Sequence, residues 1–456
     1  MEILTKPLDD TVMSDRVEHF MKNIQANILK GHGREHVVLL FLTIKHIDKA
    51  REFLQHYPVT DAFTQHEETK KFKAKRVPGG VVRLVFLSKA GLDRFGHGNK
   101  FSGFGAFSGG MAADTSVLDD GSTKSWQTEL NRSSDVMLLL AYDSEIKLAR
   151  IIGQMVKDFE KEDSPFEVMF VQEGRAYKNA DGEGVEHFGY VDGRSQPLMI
   201  QSAIDKETSQ NGGGIDRYDP TAPLGQFLAP DPLETSGFGS FFVFRKLEQN
   251  VAGFKRSEEQ LGETIGLKGD DGERAGAMVV GRFEDGTPVT LNVKEDGVPV
   301  VNNFDYSDDS DGSKCPFHAH IRKSNPRGSS PGGLDFDKSV QMARRGITYG
   351  SRLQDPDSKE FIDKPNDGVG LLFMSYQASI EKQFQFMQTQ WVNNEKFPKE
   401  KIGIDPVIGQ GGSIPQTWFP EYGSTKCEKS SLFKGFVTLK GGEYYFTPSI
   451  YGLKNL

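Results

Sequence analysis

The sequence predicts an α+β fold made of two similar units, and three observations carry that expectation. Short stretches rich in branched and aromatic residues run straight into longer amphipathic stretches, which is how a strand followed by a helix reads. This pattern recurs in both halves of the chain. Between the halves lies a stretch dense in Gly, Pro, Asp and Asn, the composition of a loop rather than of an element.

Taken in order, residues 37–44 read as a strand before a helix over 48–56, and 135–142 as a strand before a helix over 144–159. In the second half, a strand at 241–245 precedes a helix at 247–255, and a strand at 369–376 precedes a helix at 379–393. Further strands are expected at 81–87, 166–171 and 277–283. Each unit is expected to be ferredoxin-like, an antiparallel sheet carrying its helices on one face, and the likeness of the halves is what an ancient duplication would leave. The connecting loop, 205–232, includes Gly212, Gly213, Gly214 and the pair Asp219-Pro220. Placing the boundary near Pro223 gives an N-terminal domain at 1–223 and a C-terminal domain at 224–456.

A chain of 456 residues with a formal net charge of -9 has ample material for a core and offers no polyanion-binding surface, so a nucleic-acid partner is not expected. The polar, acidic stretch 1–15 lacks the basic and apolar regions of a secretory signal. The longest apolar run, 136–142, falls far short of the roughly 20 residues that cross a bilayer. Cys315 and Cys427 alone give no disulfide framework. A soluble cytoplasmic protein without a membrane partner is the expectation; a homo-oligomer stays open.

The acidic stretch 302–313 looks at first like a calcium loop. Aligning Gly312 with the loop glycine, however, puts Ser307 at the first ligand position and His318 where a bidentate Glu belongs, so a solvated loop is expected. Among the 10 histidines most sit in unremarkable contexts. The exception is the run from Cys315 through His318, His320, Arg322, Lys323 and Asn325 to Pro326 and Arg327, where histidines stand beside cations and Pro326 should end any helix. In a helix, residues two apart point about 200° apart and cannot share a metal. One histidine would then act alone, as the axial ligand of haem iron does.

This run resembles the proximal-histidine motif of the dye-decolourising peroxidases, with His320 matching the iron ligand. Gly189, Asp192 and Gly193 match that family's Gly-x-x-Asp-Gly signature, and Asp192 its distal aspartate. The segment around Arg344, Arg345 and Gly346 resembles the one carrying the distal arginine, assigned to Arg344, the first of the pair. Gly370, Leu371, Leu372 and Phe373 resemble the strand lining the distal pocket, with Leu371 and Phe373 alternating onto one face. Gly403 to Pro406 resembles the segment whose aspartate, here Asp405, hydrogen-bonds the proximal histidine. Each motif alone is weak; five in the family's order, spread over nearly the whole chain, make a strong resemblance.

What the resemblance implies is a haem b peroxidase, one haem per chain held mainly by the C-terminal unit. It would reduce hydrogen peroxide and oxidise dyes, phenolics or other aromatic donors in one-electron steps. Splitting peroxide requires moving a proton from one oxygen to the other while negative charge develops, a task for an aspartate base and a fixed cation. Asp192 and Arg344 would do this, Asp405 would enrich His320 in electron density, and Arg327 and Arg322 would meet the haem propionates. An aspartate base also implies best activity at acidic pH. Tyr349 and Trp391 fall at candidate positions for relaying electrons to bulky substrates, although Trp391 also continues the stripe Ile380, Phe384, Met387 at core-packing spacing. Release of iron from haem, chlorite chemistry and a non-catalytic haem carrier are the alternatives.

Overall fold

The computed structural model describes residues 2–209, 214–267, 271–296 and 301–456; Gly212 and Gly213 of the expected connecting loop lie outside the described residues. Strand β1 (His36–Ile44) shows why a sheet forms. Val37, Leu39 and Phe41 are buried on one side, and Val38, Leu40, Leu42 and Ile44 on the other. Such a period of two with both faces apolar demands material packed on each face.

In the N-terminal unit, β1 leads to α1 (Ile47–His56), α2 (Ala62–Lys75), β2 (Val82–Ser88), β3 (Val136–Tyr142), α3 (Glu145–Glu160) and β4 (Phe166–Arg175). A further helix, α4 (Gln201–Ser209), runs into the stretch expected to be loop. The C-terminal unit has β5 (Phe238–Gln249), α5 (Val251–Ile265), α6 (Glu273–Val280), the single-turn α7 (His320–Ser324), β6 (Ala343–Arg344), β7 (Ile347–Tyr349) and β8 (Gly370–Gln377). Two π-helical segments, Ile380–Gln385 and Met387–Val392, precede β9 (Val437–Thr447).

All these strands belong to one ten-stranded antiparallel sheet whose main path is β7-β8-β5-β9-β2-β3-β1-β4. Within each half the order is the same: fourth strand, first, third, second. The two halves meet where β9 pairs with β2, at Tyr445 opposite Ser88 and Phe446 opposite Leu87. At the far ends, Thr348 Oγ1 donates to the carbonyl of Arg175 and Ile347 sits over Gly174, so the sheet curls toward closure. Phe41, Phe86, Phe242, Phe244, Met374 and Tyr376 fill its interior. Val38, Val85, Leu138, Val243 and Phe446 face outward onto the helices.

Three local expectations need correction. Residues 277–283, expected as a strand, belong to helix α6 up to Val280, because a run of apolar residues buried on every side suits either element and its length cannot choose. The helix expected from 247 begins only at Val251, where Asn250 caps it by accepting from the N–H of Gly253; Leu247 remains in β5. The stretch 302–313 is irregular apart from a 3₁₀ turn at Ser307–Asp309, yet Asp309 is buried against Arg322 rather than solvated. Among the described residues no helix is long and apolar enough to cross a membrane. Cys315 is buried and Cys427 exposed, both free thiols.

Candidate active site

On the helical side of the C-terminal sheet lies a cavity lined by His320, Asp192, Arg344, Arg327, Leu371 and Phe373 together. Each arrives from a different element. Asp192 sits in a loop of the N-terminal unit between Gly189 and Gly193, whose φ values of 104° and 80° are ones that side chains rarely adopt. Its backbone N–H donates to Gly184 O at 2.9 Å, so the turn that presents the carboxylate is fixed at the main chain.

His320 opens α7, which ends before Pro326 as the sequence suggests. His318 precedes this helix, so helical geometry is not what separates the pair; it is buried edge-on against Trp418, with ring centroids 4.4 Å apart. The Nδ1 of His320 lies 2.8 Å from Asp405 Oδ2, leaving its Nε2 as the nitrogen free of that bond. Asp405 is fully buried, and its other oxygen accepts the N–H groups of Val407 at 2.8 Å and Ile408 at 3.0 Å. Burial works against a charged imidazole, but the Asp405 carboxylate outweighs it and His320 is raised above its ordinary value.

In the arginine pair, strand alternation divides the labour. Arg344 turns to the cavity, donating from Nη2 to Arg194 O at 2.7 Å while its N–H meets Gln196 Oε1 at 3.0 Å. Arg345 turns away and holds the carbonyls of Asn27 at 2.8 Å and Ile28 at 2.9 Å. Leu371 and Phe373 face the cavity while Leu372 and Met374 fill the sheet interior.

The other expected residues divide. Arg327 lies at the cavity edge, its terminal nitrogens donating to Asn302, Phe304 and Ser195. Arg322 does not line the cavity: it is 1% exposed, paired with Asp309 at 2.7 Å and sandwiched between Tyr306 and Phe317, so an expected role toward propionates gives way to one as an anchor. Trp391 is buried, stacked on Phe397 with centroids 5.1 Å apart, and so is not a surface residue. Tyr349 is buried too, but it lines a groove on the molecule's surface with Lys246 Nζ 4.8 Å from its ring centre.

Sequence reasoning missed Arg282 and Arg245. Arg282 lines the cavity with a buried Nη2 that has no partner among the described residues. Burial and the nearby charges of Arg327 and Arg194 push it down to about 9. A guanidinium keeps its proton in a protein, so such a push marks a cation short of a counter-charge. Arg282 follows a buried apolar run and gives no local signal. Arg245, bound through two nitrogens to buried Asp120, stands inside the apolar strand β5, where a charge is itself a signal.

An imidazole oriented by a buried carboxylate, facing an apolar cavity edged by under-compensated arginines, fits an iron porphyrin with its two carboxylate arms. Comparison with known proteins agrees: residues 23–169 match the model of the DyP dimeric alpha+beta barrel domain, and 227–402 that of the Dyp-type peroxidase C-terminal domain. The chain belongs to the DyP-type peroxidase family. The multifunctional dye peroxidase DyP2 of Amycolatopsis sp. is 41% identical to this peroxidase over 453 residues, 96% of each chain. The solved structure of that DyP2 superposes with a TM-score of 0.92 at 38% identity, covering 99% of this chain and 100% of that one. A DyP-type peroxidase of Anabaena sp. gives 0.91 at 34% identity, covering 99% and 98%. Haem is the cofactor that membership implies.

Proposed function

We propose that the protein is a haem b peroxidase, with one haem per chain, that reduces hydrogen peroxide and oxidises dyes, phenolics or related aromatic donors. The observation that carries the reading is the convergence of His320, Asp192 and Arg344 on one cavity. His320 would hold the iron through Nε2 while Asp405 fixes the ring and its tautomer. Arg282 and Arg327 would pair with the propionates. The haem would supply the redox chemistry.

The protein's own part is proton handling. Asp192 takes a proton from one peroxide oxygen and returns it to the other, so that the second leaves as water when the O–O bond breaks. Arg344, held by Arg194 O and Gln196, donates toward the charge that develops on the departing oxygen. Leu371, Phe373 and Phe384 keep the space beside these groups apolar, which strengthens both interactions. Tyr349, at a surface groove, is the better supported of the two relay candidates. Free thiols at Cys315 and Cys427 suit a reducing cytoplasm, and the dimeric domain named in the family model speaks for a homo-oligomer. The relatives compared are peroxidases, which speaks against iron release, chlorite chemistry or a passive carrier.

The test is stopped-flow spectroscopy of the haem-loaded protein with peroxide, followed by turnover of an anthraquinone dye. Asp192→Asn and Arg344→Leu are each expected to slow the peroxide reaction by about 10²–10⁴-fold while haem stays bound. Unchanged rates in both variants would remove these residues from the mechanism.

A further inference from the structure

A second cavity, sharing no lining residue with the first, lies on the N-terminal unit between α2, α4 and the N-terminal arm. Lys30, Lys70 and Lys73 line it together with His66, over a floor that includes Met21, Leu29 and Ile200. Among the described residues its one lining carboxylate is Asp10, which is 1% exposed. Asp10 accepts from the N–H of Ser202 at 2.7 Å and its hydroxyl at 2.5 Å, and stands 3.3 Å from His66 Nδ1. The wall is held in place: Gln65 donates to the carbonyls of Lys30 at 2.9 Å and Gly31 at 3.0 Å, and the arm is bound where Leu8 bridges to Ile200.

The His66 side chain is 9% exposed, and its Nε2 is buried with no partner among the described residues. With the Asp10 carboxylate 3.3 Å from Nδ1, the neutral ring keeps its proton on that nitrogen and presents the Nε2 lone pair as an acceptor. The natural occupant is therefore an anion for the lysines that still carries an acidic proton near neutrality. Carboxylates and sulfate have lost theirs by then, whereas a phosphate, with a second pKa of about 6, still keeps it in part. We propose that this cavity binds phosphate, either free or as the phosphomonoester group of a small molecule. The complex shares one proton between imidazole and phosphate. Around His66 stand Lys70, Lys73 and Glu67 from its own helix, Asp10 from the arm and Lys30 from the segment before β1, with Lys206 of α4 acting on Lys30. Burial and Lys73 both pull Lys30 downward, which a bound anion would reverse.

Calorimetric titration of the full-length, haem-loaded protein with inorganic phosphate, glycerol phosphate and sulfate tests this. Phosphate is expected to bind saturably, about fivefold or more tighter at about pH 6 than at about pH 8, and about tenfold or more tighter than sulfate. His66→Gln and Lys30→Met are each expected to weaken it about tenfold, with the Soret band and dye turnover unchanged. Tighter glycerol phosphate identifies an organic phosphomonoester as the ligand, and tighter inorganic phosphate the free ion. No saturable heat up to about 10 mM phosphate, equal affinity for sulfate, or unchanged affinity in the variants would each overturn the proposal. Should His66→Gln lose its Soret band, Lys30→Met and Lys73→Glu carry the same test.

Discussion

At the scale of single residues, the site depends on which charges are matched and which are not. Arg322 and Arg245 are paired with Asp309 and Asp120, and Arg345 is hydrogen-bonded to backbone carbonyls, so all three serve as structure, although Arg322 keeps a buried Nε without a partner among the described residues. Arg282 retains a nitrogen at the cavity that has no partner among the described residues. Arg282→Met is therefore expected to speed haem loss to excess apomyoglobin by about tenfold, read from the Soret shift. Glu186, which also lines the cavity, is pushed by burial from 4.5 to about 7. The folded state thus keeps its proton over a range where the unfolded chain has lost it, so this residue's contribution falls as pH rises between those values. In thermal melts, the Tm of Glu186→Gln relative to the parent should be more favourable at about pH 8 than at about pH 5. An equal difference at both would show that Glu186 titrates as an ordinary carboxyl.

At the scale of elements, α7 is too short to stand alone, since one helical turn does not offset its nucleation cost. Its N-cap, Ala319, makes no side-chain capping bond. Tertiary anchors hold it instead. Lys323, fully buried, donates to the carbonyls of Asn394, Phe397 and Gly403, and so ties the helix bearing His320 to the loop that delivers Asp405. Burial pulls its ammonium down to about 8. Lys323→Met leaves three buried acceptors unmet and is expected to cost about 2–4 kcal/mol in denaturant unfolding, together with weaker haem retention. A loss below about 0.5 kcal/mol would mean the loop is held by other contacts.

At the scale of the molecule, the two units share one interior. Phe86 from the N-terminal unit meets Phe242 from the C-terminal unit at a centroid distance of 4.3 Å, and both are 0% exposed. Since the β2–β9 joint has only two paired positions, side-chain contacts such as this one, the Phe41–Phe244 pair and the Arg245–Asp120 ion pair join the halves as well. Phe86→Ala is expected to cost about 3–5 kcal/mol and to lower the stability of both halves together, in a single calorimetric transition. Two separated transitions would show that the halves fold independently. The cavity draws the same lesson, because Asp192 comes from the first half and His320, Arg344 and Arg282 from the second.

The sequence by itself carried the alternation of strands and helices and the similarity of the halves and, through the resemblance of its short motifs, singled out His320, Asp192, Arg344 and Asp405, because periodicity and short motifs are properties of neighbours along the chain. The same resemblance singled out Arg344 over Arg345, and it is Arg344 that lines the cavity. Only the tertiary structure decided that residues 277–280 are helix, that Arg322 belongs to Asp309 while Arg282 faces the cavity, and that the two sheets fuse at β2 and β9. The physical reason is that burial, ion pairing and the protonation of a buried group depend on partners brought close by folding, such as Asp405, 85 positions beyond His320. No local pattern records those partners.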